Sequence, residues 1–495
     1  DALKALSSAE LTEDKMQKIK ADLKKLLKSC RSARTSTDLP RNEESQLPTC
    51  SYNKNSKFPC ASDCVEIKFS SEMGRYMSAT RDIKPGDVLV VEKPFASILN
   101  SENLETHCYK CLRRCEALLP CCFCSNVMYC SEECRTSSWD ESHYIECSIL
   151  PTLQKLEIVV TSILALRVVI MAFKTNGLKN MLKFLEAEEN LEEIKEKINN
   201  TDAYYYSSVY WLVAHMDKIS MRVLFEYSVC AACMLHCLET MTDFFTDFNA
   251  EQYKYEVGGL LLRHSINISI NNCSVGEALV SKQNGLRDIK LISVIGNAVY
   301  VILSLVNHSC DPNAHRTCHR GDTTVLHALA PIAAGEQICF SYGFEYGTDN
   351  KEKRKSYYEA AYFFTCKCRA CTEDWPTIDF LPTMDTTFIC NGCKEMLPFT
   401  VMDTIKNKTV TCEKCTKVLP SQLLVNVTKC SQDYVSYLQR ALTSGGESDW
   451  IELAEKIIPY LEPIYENIKQ PSKQCRDIQR ILKQCFDIHG NKHEL

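Results

Sequence analysis

The sequence predicts an α+β protein of several modules, in which short strands carry an inserted cysteine module and a helical insert, and further cysteine modules precede a helical C-terminal segment. Three observations lead there. Residues 108–147 read C-x2-C-x9-C-x2-C-x5-C-x3-C-x8-H-x3-C, eight ligand-type side chains in four short pairs. Zinc takes four thiolates or imidazoles in a tetrahedron, so the run fits two closed structural sites with no open catalytic position. With 495 residues and 45% hydrophobic content the chain has material for about two or three cores. Periodicity also changes along the chain, from strand-like alternation before residue 100 to helical spacing after 150 and back to short strands after 258.

Residues 3–27 space apolar side chains as a helix among many lysines, and 32–49 are polar and irregular, so 1–64 is expected to be a helical segment with a linker. Residues 65–95 alternate as strands, with a turn at Lys84-Pro85-Gly86-Asp87 and a strand over 88–91. The first β-rich part is set at 65–107 and the cysteine module at 108–147. A helical insert follows over 148–256, including helices at 182–198 and 221–238. Its apolar stretch 158–173 contains Arg167, falls short of the roughly 20 residues a membrane span needs, and reads as a buried helix. On the second helix Cys230, Cys233, His236 and Cys237 have metal-like spacing, but small thiols on an apolar helix are expected to pack in the core. Residues 257–347 are expected to be short strands and turns, with an apolar strand over 299–306, and 351–362 a helix. Cysteine groups occupy 348–376 and 377–420, and 421–495 returns to amphipathic helix.

The thirty cysteines would suggest disulfides in a secreted protein, but they cluster in metal-type pairs and no apolar leader opens the sequence. A reducing compartment, cytoplasm and nucleus, is expected, and the C-terminal Lys492-His493-Glu494-Leu495 is taken as a chance match to a lumenal retention address. Residue 1 is Asp rather than Met, which leaves room for further chain before it. A net charge of −6 argues against affinity built on neutralising phosphates, and the ligand spacing is not that of ββα fingers, so sequence-specific nucleic-acid binding is not expected.

Two more cysteine groups stand out. Cys390-x2-Cys393 and Cys412-x2-Cys415 form a self-sufficient zinc ribbon. Cys366-x-Cys368-x2-Cys371 is one ligand short, and spacing alone does not choose among Cys310, Cys318, Cys339 and Cys390 for the fourth. Asn307-His308-Ser309-Cys310-Asp311-Pro312-Asn313 taken alone is a polar turn after a buried strand. It is followed, however, by Gly335-Glu336, a strand over 337–340, Ser341-Tyr342-Gly343 and the cysteine triad.

With that company, the chain resembles the SET and MYND domain-containing lysine methyltransferases over about residues 69–376. The resemblance rests on Gly74-Arg75, Ile83-Lys84-Pro85-Gly86, the full MYND ligand series, Asn271, Asn307-His308-Ser309-Cys310, Tyr342, and Phe364 before C-x-C-x2-C. It implies a SET-type β-fold with an inserted MYND zinc finger and helical region, a zinc-bound post-SET segment, a zinc ribbon and a helical C-terminal region. It implies about four zinc ions: one on Cys108, Cys111, Cys130 and Cys134, one on Cys121, Cys124, His143 and Cys147, one on Cys310, Cys366, Cys368 and Cys371, and the ribbon ion on Cys390, Cys393, Cys412 and Cys415. Zinc would then tie the Asn307-His308 turn to the tail that follows the strands.

The family's reaction, methyl transfer from S-adenosylmethionine to a lysine amine, is the implied function. Gly74, Arg75, Tyr76, Asn271, Asn307, His308, Tyr342 and Phe364 are the implied cofactor contacts, and Tyr342 the catalytic residue. Transfer needs amine, methyl and sulfur in line, with the reacting atoms about 3–3.5 Å apart. A lysine with its ordinary pKa of about 10.4 is protonated at neutral pH, and burial beside a sulfonium pushes that value down. Tyr342 would orient the neutral amine rather than accept its proton. Two positions depart from the family pattern: Tyr76 stands where many relatives carry glycine, and Cys273 where they place an aromatic or histidine. They favour the rival reading, a catalytically weak or silent SET-MYND scaffold that recruits partners in transcriptional regulation. Expected partners are a protein substrate with a target lysine and proline-containing peptides at the MYND module; a monomer and no membrane association are expected.

Overall fold

The computed structural model describes residues 17, 18, 21, 47–186, 206–283, 286–381, 387–397, 409–420 and 447–494. Residues 1–47 and 48–495 are two units, and the elements named here belong to the second. Apart from residues 17, 18 and 21, the expected helix over 3–27 and most of its linker lie outside the described residues, as do 187–198 of the expected helix over 182–198 and the stretch 421–446.

Strands β1 (Val65–Ser70) and β2 (Gly74–Ala79) pair antiparallel from Val65↔Ala79 to Ser70↔Gly74. Gly74 begins β2 at a φ of 64°, which an L side chain rarely adopts. Pro85-Gly86 then turns the chain: Asp87 N donates to the Lys84 carbonyl at 3.1 Å, and Gly86 supplies the positive φ of 89° such a turn requires. β3 (Val88–Glu92) enters a three-stranded sheet at the end of its order, and β4 (Ala96–Leu99) leads into the zinc module. There the short strands β5 (Leu119–Pro120) and β6 (Met128–Tyr129) pair, and α1 (Glu132–Ser138) starts where Ser131 caps the Cys134 N–H.

One turn of π-helix at Trp139–His143 leads into α2 (Tyr144–Lys155). The insert holds α3 (Val160–Glu186), kinked at Gly177, and α4 (Met221–Met241), capped by Ser220. α3 packs its buried Leu164, Val168, Val169 and Ile170 in the main core, as expected for residues 158–173. By length and composition, however, two helices among the described residues, Val160–Leu178 and Met221–Met241, are long and apolar enough to cross a membrane, so the apolar stretch is longer than the one read at 158–173. The first is buried in the core by its apolar face, and its Arg167 is accommodated there by pairing with buried Glu146. On α4, Cys237 is buried, Cys230 and Cys233 are half-buried, His236 is exposed, and none joins a metal-type group among the described residues.

The boundary expected after Gly258 is corrected: α5 (Lys254–Asn271) runs straight through it. Val257, Leu260, Leu261, His264, Ser265 and Ile268 are buried at helical spacing, and this packing overrides the low propensity of Gly258-Gly259. The strands that follow are not all short. β7 (Cys273–Gln283) and β8 (Leu286–Val299) form a long hairpin that also pairs with β4. The strand expected over 299–306 stops at Val299, and the chain instead makes a 3-10 turn at Leu303–Leu305. Its cause is Glu92 at the end of β3, whose carboxylate accepts the N–H groups of Val301, Ile302 and Leu303 at 2.7–2.9 Å.

β9 (Asn307–His308) then pairs parallel with β12 (Cys339–Phe340), while β10 (Ala314–His319) and β11 (Thr323–Ala328) complete the sheet with β3. α6 (Lys351–Ala361) starts at the Asn350 cap. The ribbon contributes β13 (Thr409–Thr411) and β14 (Val418–Pro420), and the C-terminal region α7 (Glu447–Asn467) and α8 (Lys473–His489). Where continuous amphipathic helix was expected, Pro471 and the Ser472 cap separate two helices. Lys492–Glu494 form β15, parallel to β7, so the retention-like tail has a structural role at a sheet edge.

Candidate active site and metal centres

Four donor sets assemble, each with its ligand atoms within 4.8 Å of one another: Cys108, Cys111, Cys130 and Cys134; Cys121, Cys124, His143 and Cys147; Cys310, Cys366, Cys368 and Cys371; Cys390, Cys393, Cys412 and Cys415. The grouping is interleaved in the MYND run, and Cys310 joins the triad while Cys318 and Cys339 do not. Sulfur separations are 3.6 Å for Cys111–Cys130, 3.5 Å for Cys371–Cys310, 3.9 Å for Cys310–Cys366 and 3.5 Å for Cys390–Cys415. A tetrahedron with metal–sulfur bonds of about 2.3 Å has edges of about 3.8 Å, so these sets fit zinc and are far too open for disulfides. Arginines complement the thiolate charge: Arg113 Nη2 lies 3.9 Å from Cys130 Sγ, and buried Arg354 lies 3.7 Å from Cys371 Sγ.

The Cys310 set does locally what the resemblance implied, placing the tail at 366–371 against the β9 turn. His308 sits between them. Its Nδ1 accepts the Tyr342 N–H at 3.1 Å, which leaves the ring hydrogen on Nε2, 3.3 Å from Cys310 Sγ. Burial lowers the His308 pKa to about 4, so the ring is neutral at physiological pH. Tyr342 donates its hydroxyl to the Val306 carbonyl at 2.9 Å, and burial raises its pKa well above the ordinary tyrosine value. Around it stand Phe340 and Tyr362, with ring centroids at 5.2 and 4.9 Å. Cys273, whose thiol burial pushes to about 11, is close enough to act electrostatically on Tyr342 and Tyr362.

Phe364 stacks on Tyr358 at 5.5 Å, and Tyr358 lies 4.0 Å from His308. The turn that aims Phe364 is Phe363, at a φ of 61°, a left-handed conformation costly for a bulky residue. Asn307 Nδ2 donates to the Met73 carbonyl at 3.2 Å, which brings the β1–β2 turn, with Gly74 and Arg75, to the β9 strand. A Cβ on Gly74 would meet nothing within 4 Å, so glycine serves the positive φ there and leaves the turn open. Arg75 is half-buried, its Nη2 donates to the Trp211 carbonyl at 2.7 Å, and no carboxylate pairs with it among the described residues. Burial lowers its pKa to about 10. Asn271 closes α5, donating to the Val213 carbonyl, while its own carbonyl accepts from Ser304. Tyr76 lies half-buried on β2 opposite Lys68.

The structure therefore gathers Gly74, Arg75, Asn307, His308, Tyr342 and Phe364 around one turn, with Asn271 joined through Ser304. Sequence reasoning missed Tyr358 and Tyr362, which the i, i+4 spacing on α6 signalled, and Glu92, which no local pattern marks.

The SET domain family model matches residues 74–343, more than half of the chain. The chain belongs to the SET domain family. Its fold is a SET fold of short strands and helices that carries four cysteine-rich, zinc-type donor sets, those of the MYND, post-SET and ribbon modules. Among curated proteins, this SET chain is similar to protein-lysine N-methyltransferase SMYD4 of Danio rerio, 25% identical over 393 residues, 66% of this chain and 52% of that one. It is 24% identical to the Mus musculus protein of that name over 409 residues, 70% of this chain and 50% of that one. Histone-lysine N-methyltransferase ASHR1 of Arabidopsis thaliana is 25% identical over 310 residues, 62% of this chain and 55% of that one. The chain spans about half the length of these relatives.

Proposed function

We propose that this SET chain transfers a methyl group from S-adenosylmethionine to the side-chain amine of a lysine in a histone or non-histone protein, with the MYND module docking proline-containing partner segments. The observation that carries the proposal is the half-buried, neutral Tyr342, held by Val306 beside His308 and next to the turn bearing Gly74 and Arg75. The cofactor supplies an electrophilic methyl on a positive sulfur. Arg75 fits it in charge, since a half-buried guanidinium with no carboxylate partner among the described residues favours an anionic group such as an amino-acid carboxylate. Asn271 and Asn307 would hold its polar groups, and Phe364 offers a flat face to a purine.

The chain's own residues then prepare the amine. Tyr342 has committed its hydrogen to Val306, so the lone pairs of its oxygen accept an N–H from the lysine and leave the amine's lone pair free to face the methyl. Its raised pKa keeps the phenol protonated, so it orients and does not take up the proton. Phe340, Tyr362 and Cys273 wall the site with apolar surface, which disfavours the ammonium form.

Incubation with radiolabelled cofactor, histones and cell extract tests this, comparing the chain with Tyr342→Phe. Label should pass to protein with the wild type, while the variant binds cofactor in isothermal titration and transfers at least tenfold less. Equal transfer by both would remove Tyr342 from the mechanism, and none by the wild type would leave the scaffold reading. The same proposal puts a monomer in cytoplasm and nucleus, away from membranes; the reduced thiol sets support a reducing compartment. Recovery of the tagged protein in a membrane fraction would contradict it.

A further inference from the structure

The second metal set of the MYND module is wired into the main core through buried polar groups. The π-helical turn at Trp139–His143 rotates His143 inward, where it is fully buried and its Nε2 lies 3.6 Å from Cys124 Sγ. The rings of Tyr109, Tyr129 and Trp139 surround it edge-on, with centroids 5.7, 6.2 and 6.1 Å away. Its other nitrogen, Nδ1, is buried with no hydrogen-bond partner and faces Glu146 Oε2 at 3.8 Å, one turn along α2. Glu146 is itself buried. It accepts two parallel hydrogen bonds from Arg167 of α3, both at 2.8 Å, and one from the Tyr109 hydroxyl at 3.3 Å. The same guanidinium donates to the Ser97 carbonyl on β4 and lies 4.6 Å over the Tyr109 ring.

We infer that Glu146 is the outer carboxylate of the Cys121/Cys124/His143/Cys147 metal site, a positioning residue that fixes the His143 ring, and that Arg167 ties this site to α3 and β4. A metal-bound imidazole gives its Nε2 lone pair to the ion, so its hydrogen sits on Nδ1 and needs an acceptor, and in this aromatic cage the facing acceptor is Glu146. A shift of under about 1 Å brings the pair to ordinary hydrogen-bond length. The forked Arg167 neutralises the carboxylate and leaves it a lone pair for the histidine. This also explains an arginine inside an otherwise apolar helix. The inference needs the zinc fit alone and is independent of methyl transfer.

The test uses the full zinc-loaded chain and a chromogenic chelator that reads release of each zinc equivalent. In Glu146→Gln one equivalent should leave about 10- to 100-fold faster while the others keep their wild-type rates. Cobalt(II) substitution identifies it, since a site of three thiolates and one imidazole has a different visible spectrum from sites built of thiolates alone. Arg167→Lys, which lacks the fork, should show the same selective change to a smaller degree. If Glu146→Gln does not fold, the Glu146→Leu/Arg167→Met pair removes both buried charges and still denies Nδ1 its acceptor. Selective release from that folded variant supports the inference. Wild-type release in either variant, or equal acceleration at every site, overturns it.

Discussion

Glu92→Gln is the perturbation whose consequence the structure specifies most closely. The wild-type carboxylate is buried and accepts three backbone hydrogens that shape the turn leading to Val306 and Asn307. Burial outweighs these bonds and raises its pKa from 4.5 to about 7. Between those values the folded protein holds a proton that the unfolded chain has released. The group's contribution to stability is therefore fully present below pH 4.5 and is lost as pH rises through 7. At about 1.36 kcal/mol per unit the whole excursion is about 3 kcal/mol, of which about 2 kcal/mol falls between pH 5.5 and 8. Glutamine does not titrate. Urea unfolding at the two pH values should thus show the difference in stability, wild type minus variant, falling by about 2 kcal/mol as pH rises. A difference that is flat, or that grows with pH, would refute the argument. Glutamine also turns an N–H towards the Leu303 N–H, so label transfer should fall as the Val306 carbonyl loses its fixed place.

Cys310→Ser should remove one zinc and with it cofactor affinity, because His308 and the tail at 366–371 lose their common anchor; unchanged affinity in isothermal titration would contradict this. Glu345 is half-buried against Arg476 and Lys483 of α8, which hold its pKa near 2 against the opposing effect of burial. Glu345→Gln leaves two cations under-compensated and should cost about 3 kcal/mol in denaturant unfolding. In the wild type this carboxylate's contribution is present above pH 4.5 and lost as pH falls towards 2, so the variant's deficit should shrink in acid. A Cβ on Gly321 would lie 1.8 Å from the Cys111 carbonyl oxygen, at a φ of 91°. Gly321→Ala should therefore lower thermal stability and speed zinc release from the Cys108 set; release at the wild-type rate would show that the turn moves aside freely.

The metal sites were the most legible part of the molecule. In the cysteine-rich turns, short spacing brings paired sulfurs to one donor set, whereas Cys230 and Cys233 on the apolar helix α4 join none among the described residues. The fourth ligand of the Cys366 triad was not legible from spacing, since which of Cys310, Cys318, Cys339 and Cys390 reaches it depends on where the fold carries the turn after β9, strands β10 and β12, and the ribbon. The long helix through Gly258-Gly259 was missed because its stability comes from a face buried against α3 and α4, and propensity does not record that burial. The turn after Val299 was missed for a similar reason. Its residues are apolar and suit a strand, and the carboxylate that bends them comes from a residue more than two hundred positions earlier.

By itself the sequence determined which cysteines and which histidine pair as metal-type donors, where the Pro85-Gly86 turn falls, and that α3 is an apolar helix carrying one arginine. Only the tertiary structure decided that this arginine meets Glu146, that Asn307 meets the Gly74 turn, and that Tyr342 gives its hydroxyl to Val306. Local spacing governs groups that one turn or one knuckle holds together. Contacts between residues far apart in the chain depend on how the buried faces pack, which no short window contains.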